Sequence, residues 1–225
     1  MIGAGDSLQL SRQTPGEMAA RSSLQATILG SAMSSPLINA IAGLHSPDAA
    51  VRLAAASEAH AAGRTPAKLA AQAWLADEKL GPLLLAPKPE ITVGLAVPRE
   101  TFAKIRAANG VSCLAEVPSE QDAEEFELHF SGGPSLDILT SRAPGGDGAI
   151  ARYLEKFGEG VQQVEFRCLN VDKATEILKE KFGVAAIYPE TRPGSDGTRV
   201  NFFLVPLPDK GKVLIELYER MATKS

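Results

Sequence analysis

Apolar and polar residues alternate along several segments after residue 90, which is the pattern of half-buried β-strands. In EEFELHF, residues 124–130, phenylalanines and a leucine alternate with glutamates and a histidine, so one face of the strand is apolar and the other polar. Similar or more continuous apolar runs, bounded by Gly, Pro and Asn, extend the series. The predicted strands are 91–97, 111–117, 124–130, 135–141, 161–169, 184–188, 198–205 and 212–219.

Apolar residues recur at helical spacing between these strands. The repeat predicts a short helix around Phe102 and Ile105, one over 148–157 and one over 172–182 that ends at Gly183. The order β-α-β-β-β therefore occurs twice, in a first module at about 91–141 and a second at about 161–220. Two copies would pair into a half-open barrel around a central cup, so the predicted fold class is α+β with paired βαβββ modules.

Residues 22–86 predict an α-helical extension before the modules. Ser46-Pro47-Asp48 is a helix start, and Gly63 is typical of a helix end. Thr65-Pro66 repeats the start signal, so we expect a hairpin of helices 47–62 and 66–80, with Trp74 as a packing anchor. The extension is predicted to dock on a protein partner or to form a homo-oligomer. Deleting residues 1–86 is expected to leave the module pair folded.

The N-terminus predicts a flexible segment at 1–21 without the basic start and apolar run of a secretory signal. Residues 12–35 are rich in Ser, Ala and Arg, so an organelle transit segment stays open. Residues 24–44 carry no formal charge, but polar residues dilute the stretch and disfavour a membrane span. We therefore expect a cytoplasmic protein, or one of an organelle matrix or stroma, and not a secreted one.

Charge and composition exclude one class of partner. The formal net charge is −4 and both signs are interspersed, so no basic face for nucleic acid is expected. Apolar residues make up 44% of the 225, which is enough for a core, but aromatics only 5%. The three histidines are His45, His60 and His129, and only the last lies in a predicted strand.

Two C-terminal segments carry a family resemblance. GEGVQQVEF at 158–166 and RPGSDGTRVNFFLVPLPDKGKVLIELYER at 192–220 resemble the second half of a vicinal-oxygen-chelate (glyoxalase-like) domain, in particular that of methylmalonyl-CoA epimerases. The resemblance covers about 88–220 and is strongest after residue 158. In that family a metal ion in the cup holds two substrate oxygens and stabilises an enolate.

The resemblance also implies site residues. Its four metal-ligand positions fall on Thr92, Asp137, Gln163 and Glu216, so a threonine and a glutamine stand where the family has histidines. Such an oxygen-only set lacks the imidazoles that zinc or cobalt sites favour, so no metal and no other cofactor is expected. The family's second base falls on Glu125, with Glu127 as its neighbour on the same strand face.

These residues leave two functions open. The departures favour a descendant of an epimerase-like ancestor that has lost the metal site and acts as a binding or accessory subunit, with a small acid or an acyl-CoA in the cup. The alternative is an acyl-CoA epimerase or isomerase in which Glu125 and Glu216 move the proton from opposite sides of the substrate.

Overall fold

The computed structural model describes residues 35–130, 133–209 and 211–221. The predictions for residues 1–34, including the flexible segment at 1–21, lie outside the described residues. The helices are α1 (Ser35–Gly43), α2 (Ala49–Ala70), α3 (Gln72–Leu75), α4 (Leu80–Leu83), α5 (Arg99–Ala108), α6 (Ala149–Phe157) and α7 (Val171–Phe182). The strands are β1 (Ile91–Ala96), β2 (Ala123–His129), β3 (Ser135–Ser141), β4 (Gly160–Arg167), β5 (Arg192–Pro193), β6 (Arg199–Pro206) and β7 (Lys212–Glu219).

The seven strands form one mixed sheet in the order β2-β3-β1-β4-β7-β6-β5, curled into a half-barrel. In the first half β1 is parallel to β3, which is antiparallel to β2. In the second half β4 is parallel to β7, which is antiparallel to β6. The two halves meet at the antiparallel pair β1–β4. The predicted duplication and the half-barrel are therefore confirmed.

One predicted strand of each module does not form. Residues 111–117 and 184–188 are not strands. Each instead makes a backbone hydrogen bond to the neighbouring strand: the Ala115 N–H donates to the Glu125 carbonyl, and the Ile187 N–H to the Phe202 carbonyl. An outermost segment has only one neighbour to pair with, so its β-rich composition does not secure a ladder. The modules are βαββ, and the short β5 is added to the second.

Helix α2 crosses the convex face of the sheet, and the predicted break at Gly63 is wrong. The helix runs without interruption through Gly63 and Pro66. A Cβ on Gly63 would lie 2.6 Å from Val93 Cγ1 and 3.2 Å from Val161 Cγ1, so glycine lets the helix lie directly on β1 and β4. A helical hairpin does form, but between α1 and α2, where Gly43 lies against Ala55.

The segment after α2 belongs to the same hydrophobic core as the sheet. Trp74 is only 3% exposed, as its predicted role as an anchor requires, and meets Phe203 of β6 edge-to-face at 6.3 Å between ring centroids. Leu80 and Leu84 are fully buried in this core. The Asp77 carboxylate accepts hydrogen bonds from the Leu80 amide and from Lys181 of α7. The helical segment is thus fastened to the second module.

Of the helices in the described ranges, none combines the length and the apolar character that crossing a bilayer requires.

Candidate functional site

The concave side of the sheet encloses a cavity of about 1130 Å³, which we call the cup. Because side chains alternate along a strand, one face of the sheet lines the cup and the apolar positions between form the convex core. The polar residues that line the cup from the strands are Glu125, Glu127, Asp137, Gln162, Gln163, Glu165 and Glu216. Helix α6 covers one side with Ile150, Tyr153 and Phe157. The Tyr153 hydroxyl donates to the Val161 carbonyl at 2.8 Å and fixes the helix to β4.

Four of the residues singled out in the sequence line this one cavity, namely Glu125, Asp137, Gln163 and Glu216. Thr92 does not line it. The register pairs Thr92 with Glu165, so it lies on the concave face of the sheet, but it is buried.

Gln163 occupies the centre of the cup. Its amide nitrogen donates to Glu216 Oε2 at 2.7 Å and to Glu165 Oε1 at 3.1 Å. Gly94 lies opposite on β1, and a Cβ there would be 2.7 Å from Gln163 Cγ. Glycine at 94 therefore leaves room for the glutamine side chain to lean across β1. The one amide bridges two carboxyl groups on neighbouring strands.

The polar residues of β2, β3, β4 and β7 that line the cup form what we call its floor, and many of them are acids. Burial raises the pKa values of four of these carboxyl groups. Burial is the main cause for Glu125, opposed by a hydrogen bond from Ser195. The pKa of Asp137 is raised strongly by burial and then by Glu125 and Glu165, and that of Glu216 by burial and then by Glu165. The pKa of Glu165 rises to about 8, mainly through burial. These groups therefore release their protons at higher pH than exposed acids do.

Sequence reasoning missed Glu165, which lines the cup and pairs directly with Glu216 on β7. Strand parity would have found it, because Glu165 lies two residues after Gln163 and so on the same face. Glu127, read from the sequence only as the neighbour of Glu125, also lines the cup, opposite Asp137. Gln162, at the irregularity in the β1–β4 pairing, lines it too.

A loop of the second module closes the cup from above. Residues 193–196, which we call the strap, reach across to the first module. The Glu116 amide donates to Asp196 Oδ1 at 2.8 Å, the Asp196 amide to the Glu116 carbonyl at 3.1 Å, and the Gln121 side chain to the Pro193 carbonyl at 3.0 Å. The strap therefore joins the second module to the first at the two edges of the half-barrel sheet.

The three histidines contribute no ligand set to the cup. His129 sits at the exposed end of β2 and contacts Glu127 Oε2 at 2.7 Å and Ser135 Oγ at 3.1 Å, as a polar strand-face residue does. His60, on α2, contacts the Ile91 carbonyl at 3.2 Å on the convex side. Among the described residues, no three His, Cys, Asp or Glu side chains are grouped so as to hold a metal ion.

Comparison with solved structures identifies the family. A methylmalonyl-CoA epimerase solved with methylmalonyl-CoA is 30% identical over a match that covers 60% of this chain and 95% of that one, with a TM-score of 0.47. The chain belongs to the vicinal-oxygen-chelate superfamily. No protein-family model matches the sequence, and no curated protein matches it.

Other solved structures are similar to this chain. The methylmalonyl-CoA epimerase of Mycobacterium tuberculosis is 28% identical, with 58% of this chain and 87% of that one covered and a TM-score of 0.48. A Bacillus halodurans protein of unassigned function is 22% identical, with 61% and 99% covered and a TM-score of 0.49.

Proposed function

We propose that this chain is a ligand-binding or accessory member of the vicinal-oxygen-chelate superfamily that no longer carries the metal site of the epimerases. The observation that carries the proposal is the bonding of Gln163. Its amide nitrogen, a donor, is directed at Glu216 and Glu165, whereas a metal ligand must present a lone pair. Gln163 stands where the resemblance implies a histidine ligand. Its amide thus bonds the Glu216 carboxylate, which is the ligand position with which it would hold a metal ion.

The other three positions support the same proposal. Thr92 does not line the cup, and Asp137 and Glu216 do not come together with a third acid in a ligand group. The residues present therefore do not fit a metal ion. Without a cation, a carboxylate floor is a poor place to stabilise an enolate, since no positive charge opposes the developing oxyanion.

The alternative, an acyl-CoA epimerase or isomerase, is favoured by a different observation. Glu125 and Glu216 line one cavity, and burial raises the pKa of each toward the range in which a carboxyl group can take up and return a proton. In that case the two groups would act on opposite faces of the acidic carbon.

Solvent-proton exchange into methylmalonyl-CoA separates the two functions. We expect no exchange above background in the wild type, no stoichiometric zinc, cobalt or nickel in the purified protein, and little change on Glu216→Gln beyond local stability. If the wild type exchanges the proton and Glu216→Gln lowers the rate by about two to four orders of magnitude, the usual contribution of a general base, the epimerase function is correct instead.

A further inference from the structure

The acidity of the cup floor suggests the class of ligand that the cup binds. Glu127 faces Asp137 across β2–β3, and Glu165 faces Glu216 across β4–β7. When ionised, carboxyl groups directly opposite each other on a sheet repel, and burial strengthens the repulsion, so a bound cation would favour their ionised forms. None of the residues of β2, β3, β4, β6 and β7 that line the cup is a Lys or an Arg. The cations of the lining are Arg152 and Lys156 of α6 and Arg192 of the short edge strand β5. The floor therefore lacks a built-in counter-charge.

Two buried acceptors in the cup have no donor within the described chain. They are Asp137 Oδ1 and Gln162 Oε1, and both residues line the cavity. Asp137 is 5% exposed and Gln162 6%, so neither side chain is open to bulk solvent. Buried polar atoms in folded proteins are nearly always hydrogen-bonded. Acceptors left over in a cavity point to a ligand that brings N–H or O–H donors.

The floor already shows which donor it accepts. The Gln163 amide N–H group lies between Glu165 and Glu216 and bonds both. An ammonium group has the same hydrogen-bonding character with three donors and a full positive charge. An anionic head group would meet the floor carboxyls instead.

The walls of the cup are apolar on both sides of this floor. Helix α6 contributes Ile150 and Phe157, and the second module contributes Phe202, Leu204 and Leu214. Such walls suit a hydrocarbon chain or ring, and a volume of about 1130 Å³ accommodates a ligand of ordinary metabolite size.

We propose that the cup binds an organic cation, an amine carried on an apolar chain or ring, with its ammonium group at Asp137 and its apolar part against α6 and β6. The inference rests on the proposed function, because it takes the cup to be a binding site. It replaces the small acid or acyl-CoA expected from the sequence with a ligand of opposite charge.

Calorimetric titration with matched probes tests the charge of the ligand. Hexylamine and phenethylamine are compared with the neutral hexanol and 2-phenylethanol, with the anionic hexanoate and 3-phenylpropanoate, and with MgCl₂. We expect the amines to bind at least tenfold more tightly than the alcohols, and the acids and Mg²⁺ to show no saturable heat. Equal binding of amine and alcohol, or preference for the acid or for Mg²⁺, overturns the proposal.

Substitution of Asp137 tests the position. Asp137→Asn keeps the shape and removes the charge, so amine affinity should fall by about tenfold to a hundredfold, the usual worth of a charged hydrogen bond, with alcohol binding unchanged. Glu58→Gln removes an exposed carboxylate from α2 on the convex side and should leave amine affinity as in the wild type. If Asp137→Asn does not fold, Glu165→Gln serves in its place. Unchanged affinity in a folded variant places the ammonium elsewhere and overturns the proposal.

The same preparation is assayed for proton exchange into methylmalonyl-CoA, so that the two failures can be told apart. Exchange that Glu216→Gln abolishes overturns the proposed function and the inference together. Absent exchange with no amine preference overturns the inference alone.

Discussion

At the scale of single residues, the acids of the cup floor lie close together in the folded protein. Glu165 and Glu216 are opposite each other on parallel strands, and the amide nitrogen of Gln163 bonds both. A hydrogen bond from a neutral amide offsets only part of the free-energy cost of burying two charged carboxylates. Protonation lowers the remaining cost, because a neutral carboxyl group is easier to bury. A floor of this kind costs stability, and such costs are typical of functional sites rather than of structural ones.

Glu165→Gln should make stability less dependent on pH. The pKa of Glu165 rises from the ordinary 4.5 to about 8 in the folded protein. Between these values the folded state holds a proton that the unfolded state has released, so the free energy of unfolding falls as pH rises, by roughly 1.4 kcal/mol per pH unit for one proton. Glutamine cannot titrate, yet its carbonyl still accepts the Gln163 bond. Urea unfolding at pH 5, 6, 7 and 8 should therefore give a shallower slope for the variant.

Glu125, Glu127, Asp137 and Glu216 surround the same floor and remain in the Glu165→Gln variant, so a residual slope is expected. Glu58→Gln, on an exposed position of α2, is the matched control and should follow the wild type at every pH. Identical slopes for wild type and Glu165→Gln would show that this carboxyl group keeps its ordinary pKa.

At the scale of elements, periodicity predicted the strands that have a neighbouring strand on both sides, and it failed for segments that could pair on only one side. Strands β1, β3, β4 and β7 lie inside the sheet, and Asp137, Gln163 and Glu216, to which the family resemblance pointed, all line the cup. The segments at 111–117 and 184–188 have β-rich sequences, but each lies beside only one strand with which it could pair. The helix end predicted at Gly63 was also wrong. A glycine is needed there because the helix lies against β1, which is distant in sequence.

Gly63→Ala tests whether contact or helix propensity governs α2. In an exposed helix the change would stabilise by about 1 kcal/mol. Here the added Cβ would lie 2.6 Å from a β-branched valine on the central strand, so either the helix or the strand must shift. We expect a net loss of about 1–3 kcal/mol, the usual cost of overpacking. Chemical denaturation measures it.

Ala61→Gly is the control for Gly63→Ala. Ala61 lies on the exposed side of the same helix, so this change should cost about 1 kcal/mol through propensity alone. A Gly63→Ala protein more stable than the wild type would mean that α2 does not lie against β1.

At the scale of the whole molecule, the helical segment and the half-barrel share one hydrophobic core. Helix α2 covers the junction of the two modules at β1 and β4, and Trp74, Leu80 and Leu84 are buried in the same cluster as the sheet. The sequence predicted an extension that docks on a protein partner or a second copy, and the shared core neither requires nor excludes such docking. The sequence could not reveal this core, because a small-residue helix face and an apolar strand face have the same composition whether they meet each other or a partner.

Removing residues 1–86 should therefore unfold or aggregate the half-barrel rather than release it intact, contrary to the expectation from the sequence alone. The cut would uncover apolar side chains of β1, β4 and β6, including Phe203, which packs on Trp74. We expect the fragment starting at residue 87 to bind a hydrophobic dye, to elute as a larger species and to lose cooperative thermal unfolding. Co-expressing residues 1–86 as a separate chain should restore a soluble one-to-one complex.

Leu69→Ala, which trims a side chain exposed on α2, should leave the full chain's melting temperature within a few degrees. A monomeric fragment that melts cooperatively near the temperature of the full chain would show that the module pair completes its own core, and that the helices pack on it without being needed.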